Sequence, residues 1–300
     1  MSVTIGLPFF NNRRTLPQTL ASIFAQTYTD WELIAIDDGS SDGSLELMRQ
    51  VRDPRVRVLS DGQHKALSAR LNQIARAASG EFLARMDADD VMHSRRIEAQ
   101  VAKLRAERNL SVVGSATYVI DDASRLLGKR KVQVAVPTPA AVMRARGFLV
   151  HPSVCGRTAW FRDNPYSEAS WCERAQDFEL WMRTIDQIRG RFYHFSQPLL
   201  FYRMGAFDYA KYRKSMRVGR RVVARYAVRP LGRIGTLRLL GRFWGQQLAY
   251  RAASLMGFAQ RLSGRRLLPL TAGEEAEAQQ ALCLAISQPV PGLDAMSAAG

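Results

Sequence analysis

Between Tyr209 and Gly273 the chain has no Asp and no Glu. The same 65 residues carry 15 of its 43 Lys and Arg, which is nearly all of the net charge of +16. The remainder is close to neutral, so the basicity is a local device and not a property of the whole fold. Cysteine is scarce too. Cys155, Cys172 and Cys283 are an odd number without a CxxC pair. That excludes a thiolate metal site and a disulfide framework, and predicts a reducing cytoplasm. No apolar run approaches the roughly 20 residues of a membrane span. Met1-Ser2-Val3-Thr4 runs straight into a strand pattern, so no signal peptide is expected.

What is present is an alternation of short apolar runs and amphipathic stretches. Val3 to Phe9, Glu32 to Asp37, Arg55 to Leu59 and Glu81 to Met86 read as strands. Leu16 to Gln26 with Thr15 as N-cap, Ser44 to Val51, Lys65 to Ala78 with Gly80 as a left-handed cap, and Ser94 to about Arg105 read as helices. This order implies right-handed crossovers and a parallel sheet. The pattern then becomes mixed. Strands are expected over Ser111 to Ile120, Lys129 to Val136 and His151 to Gly156, and as two pieces around Pro198 within Phe192 to Arg203. Helices are expected over Pro139 to Arg146 and Glu173 to Ile188. The expected organisation is a first domain over 1–208, with halves 1–107 and 108–208, then a basic helical extension over 209–286 and a disordered tail over 287–300.

Two strands end in carboxylates. Leu33-Ile34-Ala35-Ile36 runs into Asp37-Asp38-Gly39-Ser40, and Phe82-Leu83-Ala84-Arg85-Met86 into Asp87-Ala88-Asp89-Asp90. Open α/β sheets bind ligands outside the carboxyl ends of their strands, so the two clusters point to one site. The first is equally a turn and helix cap. The second is harder to explain structurally, because three carboxylates repel unless a cation or donors offset them. Hard oxygens suit Mg²⁺ or Mn²⁺, ions usually shared with substrate phosphates.

Further segments join these clusters: Leu7-Pro8-Phe9-Phe10-Asn11-Asn12, Leu20 to Tyr28, Trp31 to Gly43, Ala69-Arg70-Leu71-Asn72, His151-Pro152-Ser153-Val154, Gln176-Asp177-Phe178-Glu179-Leu180-Trp181-Met182-Arg183 and Tyr202-Arg203. In this order the chain resembles family 2 glycosyltransferases over roughly residues 3 to 205. The resemblance implies an α/β GT-A fold, Rossmann-like with a mostly parallel central sheet, here followed by the C-terminal basic helical extension. It implies an inverting transferase that moves a hexose from a nucleotide diphosphate sugar, a UDP-sugar by preference, to a saccharide or lipid-linked saccharide hydroxyl in cell-surface polysaccharide or lipopolysaccharide assembly.

Site roles follow from the same resemblance. Pro8 and Phe9 form the apolar wall for the base, and Asn11 belongs to the nucleotide contacts. Asp38 accepts the base N–H, Arg70 reaches the base or its phosphates, Asp87 holds ribose and Asp89 the divalent cation. Asp177 is the general base that takes the acceptor proton as the new C–O bond forms; its plain alternative is a carboxylate complementing a helix dipole. Tyr202 and Arg203 close over the diphosphate on one reading and make a surface ion pair on the other. His151 is kept as a sugar or phosphate contact, and His64 and Lys65 read as solvated loop. Three positions depart from the family's habit: Ala66 stands where Gly is common, Leu71 interrupts Arg-Asn, and His93 replaces Pro. The Gln-x-x-Arg-Trp motif of processive synthases is absent, which favours single addition.

In the tail, Leu237, Leu239, Leu240, Phe243, Trp244, Leu248 and Tyr250 interleave with Arg238, Arg242 and Arg251. Aromatics beside Arg on a helix suit an anionic membrane surface, which predicts peripheral attachment through residues 209–273. No nucleic-acid recognition motif accompanies the charge, so nucleic acid is not expected as a partner. The rivals are a sugar nucleotidyltransferase, which needs a Gly-rich phosphate loop where Pro8-Phe9-Phe10-Asn11-Asn12 stands, and a non-catalytic binding module driven by the tail.

Overall fold

The computed structural model describes residues 1–130, 140, 142–143, 149–187, 191–259 and 267–293. Its first half is the expected alternation: β1 (Val3–Phe9), α1 (Leu16–Phe24), β2 (Trp31–Asp37), α2 (Ser44–Gln50), β3 (Val56–Leu59), α3 (Ala66–Ala77), β4 (Phe82–Arg85), β5 (Val91–Met92) and α4 (Arg96–Ala106). Then follow β6 (Val112–Ile120), β7 (Leu126–Arg130), β8 (Cys155–Arg157), α5 (Thr158–Asp163), α6 (Gln176–Arg183), β9 (Phe192–Arg203), α7 (Tyr209–Tyr226), α8 (Val228–Leu255), β10 (Leu267–Leu268) and α9 (Ala272–Ile286). The sheet order is β10-β7-β6-β8-β4-β1-β2-β3. Strands β3, β2, β1 and β4 are parallel, β8 inserts antiparallel beside β4, and β9 pairs with β6 in parallel and with β5 antiparallel.

β1 and β2 are buried at every position, as strands covered on both faces must be. The parallel strands therefore end together, and the Asp37–Ser40 turn and the Asp87–Asp90 turn emerge at one edge of the sheet.

Several local expectations are corrected. Thr15 stands at the N-cap of α1 as expected but makes no side-chain capping bond; its hydroxyl donates to the Ala88 carbonyl at 2.8 Å, and that of Thr19 to Ala88 and Asp90 carbonyls at 3.1 and 2.8 Å. α1 thus braces the carboxylate turn from below. Gly80 is not left-handed. A Cβ there would sit 2.6 Å from the Thr4 nitrogen, so close passage of two backbones demands glycine. His151–Ser153 is a 3₁₀ turn leading into β8, because Ser153 spends its hydroxyl on the Val150 and Ser115 carbonyls at 2.7 and 3.2 Å instead of extending. The long helix expected from Glu173 begins only at Gln176, and β9 is one strand with irregular pairing near Pro198. The strand expected over Lys129 to Val136 is seen as Leu126–Arg130; its remainder, and most of the helix expected over Pro139 to Arg146, lie outside the described residues.

The end of the chain also differs from expectation. Residues 287–293 pack back on the first domain: Val290 is buried in its core, and the Arg52 N–H donates to the Pro291 carbonyl at 2.7 Å. A short polar sequence gives no sign of this, since the anchor is one valine and a backbone hydrogen bond.

Candidate active site

The Asp37–Ser40 turn is built by its own side chains. Asp37 accepts from the N–H groups of Gly39 and Ser40 at 3.2 and 3.0 Å and from Ser60 Oγ at 2.9 Å. Gly39 has φ +83°, and a Cβ would press on the Gln63–His64 backbone, so this turn needs glycine. Asn11 is spent within the loop: its N–H donates to Ser40 Oγ at 3.1 Å and its Oδ1 accepts from the Ser41 N–H at 2.9 Å.

This leaves Asp38 facing a basic group. Oδ1 accepts from Arg70 Nε at 2.7 Å and from the Lys65 N–H at 2.8 Å, and Oδ2 lies 2.9 Å from His64 Nδ1. Arg70 is fully buried, and its far edge grips Asp61 in bidentate fashion at 2.7 and 3.1 Å. That contact holds the Asp61 carboxyl well below the usual range. Asp61 is absent from the sequence reading; the only signal for it is an Asp-Gly turn after β3.

The two residues expected as the base wall lie inside the protein. Pro8 and Phe9 are buried in β1, and Phe9 belongs to the core. The neighbouring Phe10 is 44% exposed and lies 4.6 Å, ring to ring, from His64. Alternation along the strand explains the exchange, since successive side chains face opposite ways.

At the end of β4, Arg85 Nη2 donates to Asp87 Oδ1 at 2.6 Å. Asp87, Asp89 and Asp90 bring one carboxylate oxygen each within 4.8 Å of one another. Burial, and then the charge of Asp87, push the Asp89 carboxyl up to about 6. Asp90 is raised further by complete burial and by the charges of Asp89 and Asp87; its Oδ1 accepts the Arg203 N–H at 2.7 Å. Its Oδ2 has no hydrogen-bond partner among the described residues.

Arg203 is also placed otherwise than expected. Its guanidinium donates to the Asp89 and Asp121 carbonyls and to Gln18 Oε1, each at 2.7 Å, and to Ser124 Oγ at 3.1 Å. It clamps the carboxylate turn from behind, buried, and is not the surface ion pair of the second reading. Tyr202, next along β9, does line the cleft, with the Arg130 guanidinium 4.0 Å from its ring centroid.

Asp177 stands in the first turn of α6. That helix is fixed by Phe178, Leu180, Trp181 and Met182 in the core, and by Glu179, which accepts from Arg183 Nε at 3.0 Å and from the Tyr226 hydroxyl of α7 at 2.9 Å. Burial raises the Asp177 carboxyl, against the opposing N–H of Phe178 and charge of Arg85. His151 is buried and shares a 2.8 Å hydrogen bond with the Tyr166 hydroxyl; burial lowers its pKa well below the ordinary value, so it is neutral.

One cleft of about 670 Å³ joins these groups. Phe10, His64, Ser68, Arg85, Asp87, His151, Arg174, Gln176, Asp177 and Lys211 line it. Asp38 and Arg70 do not line it; Asp38 holds His64 and the Lys65 N–H from behind.

The family model for glycosyl transferase family 2 matches residues 4–168. EpsE of Bacillus subtilis, which is named as a glycosyltransferase, is 33% identical over 193 residues, 62% of this chain and 67% of that protein. The Escherichia coli enzyme WfgD, a UDP-Glc:alpha-D-GlcNAc-diphosphoundecaprenol beta-1,3-glucosyltransferase, is 30% identical over 127 residues, 42% of this chain and about half (49%) of that enzyme. Among solved structures, the complex of S. aureus TarS 1-349 with UDP-GlcNAc superposes with a TM-score of 0.61 at 15% identity, covering 95% of this chain and 82% of that one. That likeness establishes the GT-A fold, and the sequence match over more than half the chain establishes the rest: this protein belongs to glycosyltransferase family 2 and is a glycosyltransferase.

Proposed function

We propose that the chain transfers a hexose with inversion from a UDP-sugar to a hydroxyl of a saccharide or lipid-linked saccharide in cell-surface polysaccharide or lipopolysaccharide assembly. The observation that carries this reading is one cleft lined together by Phe10, His64, Asp87 and the half-buried Asp177. The base of the nucleotide would rest on Phe10, with Asp38, held from beneath by Arg70, reading its edge and Asp87 taking the ribose. The substrates for which WfgD and the E. coli enzyme WfaP are named, UDP-Glc and a diphosphoundecaprenol-linked sugar, favour this donor and acceptor class.

A divalent cation, Mg²⁺ or Mn²⁺, fits the residues at the end of β4. Three hard carboxylates crowd together there, and Asp90 Oδ2 is orphaned. Asp89, whose carboxylate carries the least internal hydrogen bonding, would hold it with help from Asp87. When bound, such an ion supplies the charge that a departing nucleoside diphosphate needs. Asp177 takes the acceptor proton, and its raised pKa makes it a better base than an exposed aspartate. A nucleotidyltransferase is not favoured, because the turn after β1 is filled by Phe10 and Asn11 and offers no glycine-rich phosphate cradle.

We further propose that α7 and α8 attach the enzyme to the anionic inner face of the membrane. No helix among the described residues is long and apolar enough to cross one. The structure sorts the apolar residues of α8 into two rows. Leu239, Phe243, Tyr250 and Ala253 are buried. Ile234, Leu237, Trp244, Leu248 and Leu255 are exposed, Leu237 by 68%, Leu248 by 62% and Leu255 by 81%. An exposed apolar row on a helix pair without any acidic residue suits anionic lipid. A second copy would set arginine against arginine.

The catalytic reading is tested by incubating the protein with a panel of UDP-sugars and saccharide acceptors, with Mn²⁺ and with chelator, and measuring UDP release. Release from none of them overturns it.

A further inference from the structure

Helix α7 runs beside the segment that carries Asp177. Its Lys214 Nζ lies 2.7 Å from Glu173 Oε2, and its Tyr226 hydroxyl donates to Glu179 Oε1 at 2.9 Å. Arg229, at the start of α8, pairs with Asp186 at 2.6 Å. Between α7 and the 3₁₀ turn Ser170–Cys172 lies a groove of about 620 Å³, lined by Trp171, Arg221, Ala224 and Arg225. Trp171 is half-buried and packs on the core, which fixes its ring as an apolar floor. Ala224 and both arginines are exposed. Neither guanidinium makes a hydrogen bond or an ion pair among the described residues; Arg225 has only the ring of its neighbour Tyr226, 5.8 Å away. The acids nearby are already taken, Glu173 by Lys214, Glu179 by Arg183 and Asp186 by Arg229.

The groove continues the cleft wall around Asp177. Glu173, Arg174 and Lys211 line the cleft, and Trp171 precedes Glu173 by two residues. Arg221 follows Lys211 on the same helix, about 15 Å further along at 1.5 Å per residue. Lys211, Lys214, Arg221 and Arg225 fall within roughly 80° of one helix face, so a basic edge leads from cleft to groove. A ligand reaching from Asp177 into the groove meets two forked cations one helical turn apart, above an apolar floor. A guanidinium takes phosphate oxygens in bidentate fashion, and a diphosphate offers an anion to each of the two. The carbon groups on either side of it would rest on the Trp171 ring and the Ala224 methyl. A saccharide joined to a lipid through phosphates has its groups in this order. A bilayer surface is the weaker fit, because a flat surface meets the rims of a groove and not a floor between two elements.

We propose that Arg221 and Arg225, over the Trp171 floor, bind the diphosphate of a lipid-linked acceptor and so hold its saccharide toward Asp177. This rests on the transferase reading above, and the test separates the two. The probes are butyl maltoside and its counterpart with a diphosphate between the maltose and the butyl chain, titrated by calorimetry. The parent should bind the diphosphate probe at least about tenfold more tightly, the worth of a charge-assisted hydrogen bond. Arg221→Gln with Arg225→Gln should lose roughly 10- to 100-fold in affinity for that probe. Arg238→Gln with Arg251→Gln removes the same charge from exposed positions of α8, and should keep that affinity within about threefold. All four side chains are exposed, so both double variants should keep the parental thermal midpoint. Equal affinity of the parent for the two probes, or an unchanged affinity in the Arg221 and Arg225 variant, overturns the assignment. An equal loss in both double variants overturns it too, and gives the arginines to an anionic membrane surface at large. A parent protein that binds the diphosphate probe as expected, yet releases no UDP from any sugar donor, defeats the transferase reading and leaves the groove standing.

Discussion

Arg70 Nε lies 2.7 Å from Asp38 Oδ1, and both side chains are almost wholly inside the protein. The pair ties the turn after β2 to α3, and the other edge of the same guanidinium ties α3 to Asp61 after β3. Two parallel-strand connections are thus locked by one arginine. Arg70→Ala strands Asp38 as a buried charge without its main partner, which costs about 3–5 kcal/mol. The expected outcome is a large drop in denaturation midpoint together with loss of UDP affinity. Arg70→Ala with parental stability would show that the network is ornamental.

Asp177→Asn should bind UDP with Mn²⁺ as the parent does and lose transfer by about 10²- to 10⁴-fold, the range for removing a general base. Because burial raises the Asp177 pKa, the rate should fall on the acid side at a higher pH than an exposed aspartate would give. The active form is the carboxylate, so activity is present above that pKa and lost below it. A pH–rate profile of kcat/KM that stays flat down to the ordinary carboxylate range would remove Asp177 from this role.

The carboxylate turn makes a two-sided prediction. In chelator, Asp89→Asn relieves repulsion among Asp87, Asp89 and Asp90, and should stabilise the fold by about 1 kcal/mol once solvent screening is allowed for. With Mn²⁺, the parent should gain thermal stability and the variant should not. Equal Mn²⁺ responses in both would place the ion elsewhere.

These contrasts show where the sequence is legible. The strands and helices of 1–106 are readable because parallel strands are continuous apolar runs separated by amphipathic helices. The carboxylates are readable because such groups seldom crowd a strand end without reason. Phe9 and Phe10 are not distinguishable in advance, since which of two adjacent phenylalanines faces the cleft depends on strand register. Arg203 misleads because an arginine gives no sign of whether it meets ligand or backbone carbonyls. Asp61 is invisible for the opposite reason: its role exists only once Arg70 is folded against it.

Ala66 offers a smaller test. It stands where family members often carry glycine and adopts φ +68°. An L-residue in that region is strained by about 1–2 kcal/mol, which glycine avoids. Glycine's extra chain entropy in the unfolded state offsets part of this. Ala66→Gly should therefore raise the unfolding free energy by about 0.5–1 kcal/mol, read by denaturant titration, with nucleotide binding intact. Destabilisation of similar size would mean that the left-handed conformation is not held in solution.

The exposed row on α8 puts the proposed membrane attachment to the test. Phe243 and Tyr250 anchor α8 to α7, Phe243 packing over Gly219, so changes on the opposite face leave that packing untouched. Trp244 lies on the exposed face with the Arg220 guanidinium 3.8 Å from its ring centroid. Vesicles of phosphatidylglycerol should therefore sediment the protein and shift Trp emission to the blue, whereas phosphatidylcholine vesicles should do neither. Each basic residue near an anionic surface contributes about 1 kcal/mol, so binding should weaken steeply with salt. Leu237→Ser with Leu248→Ser removes two large apolar side chains from the row, each worth about 1.5–3 kcal/mol if fully buried. The double variant should lose at least tenfold in vesicle affinity while turning over a water-soluble acceptor at the parental rate. Vesicle binding that persists in the double variant and is erased by salt would assign attachment to charge alone; no binding at low salt would exclude the membrane as the partner of this face.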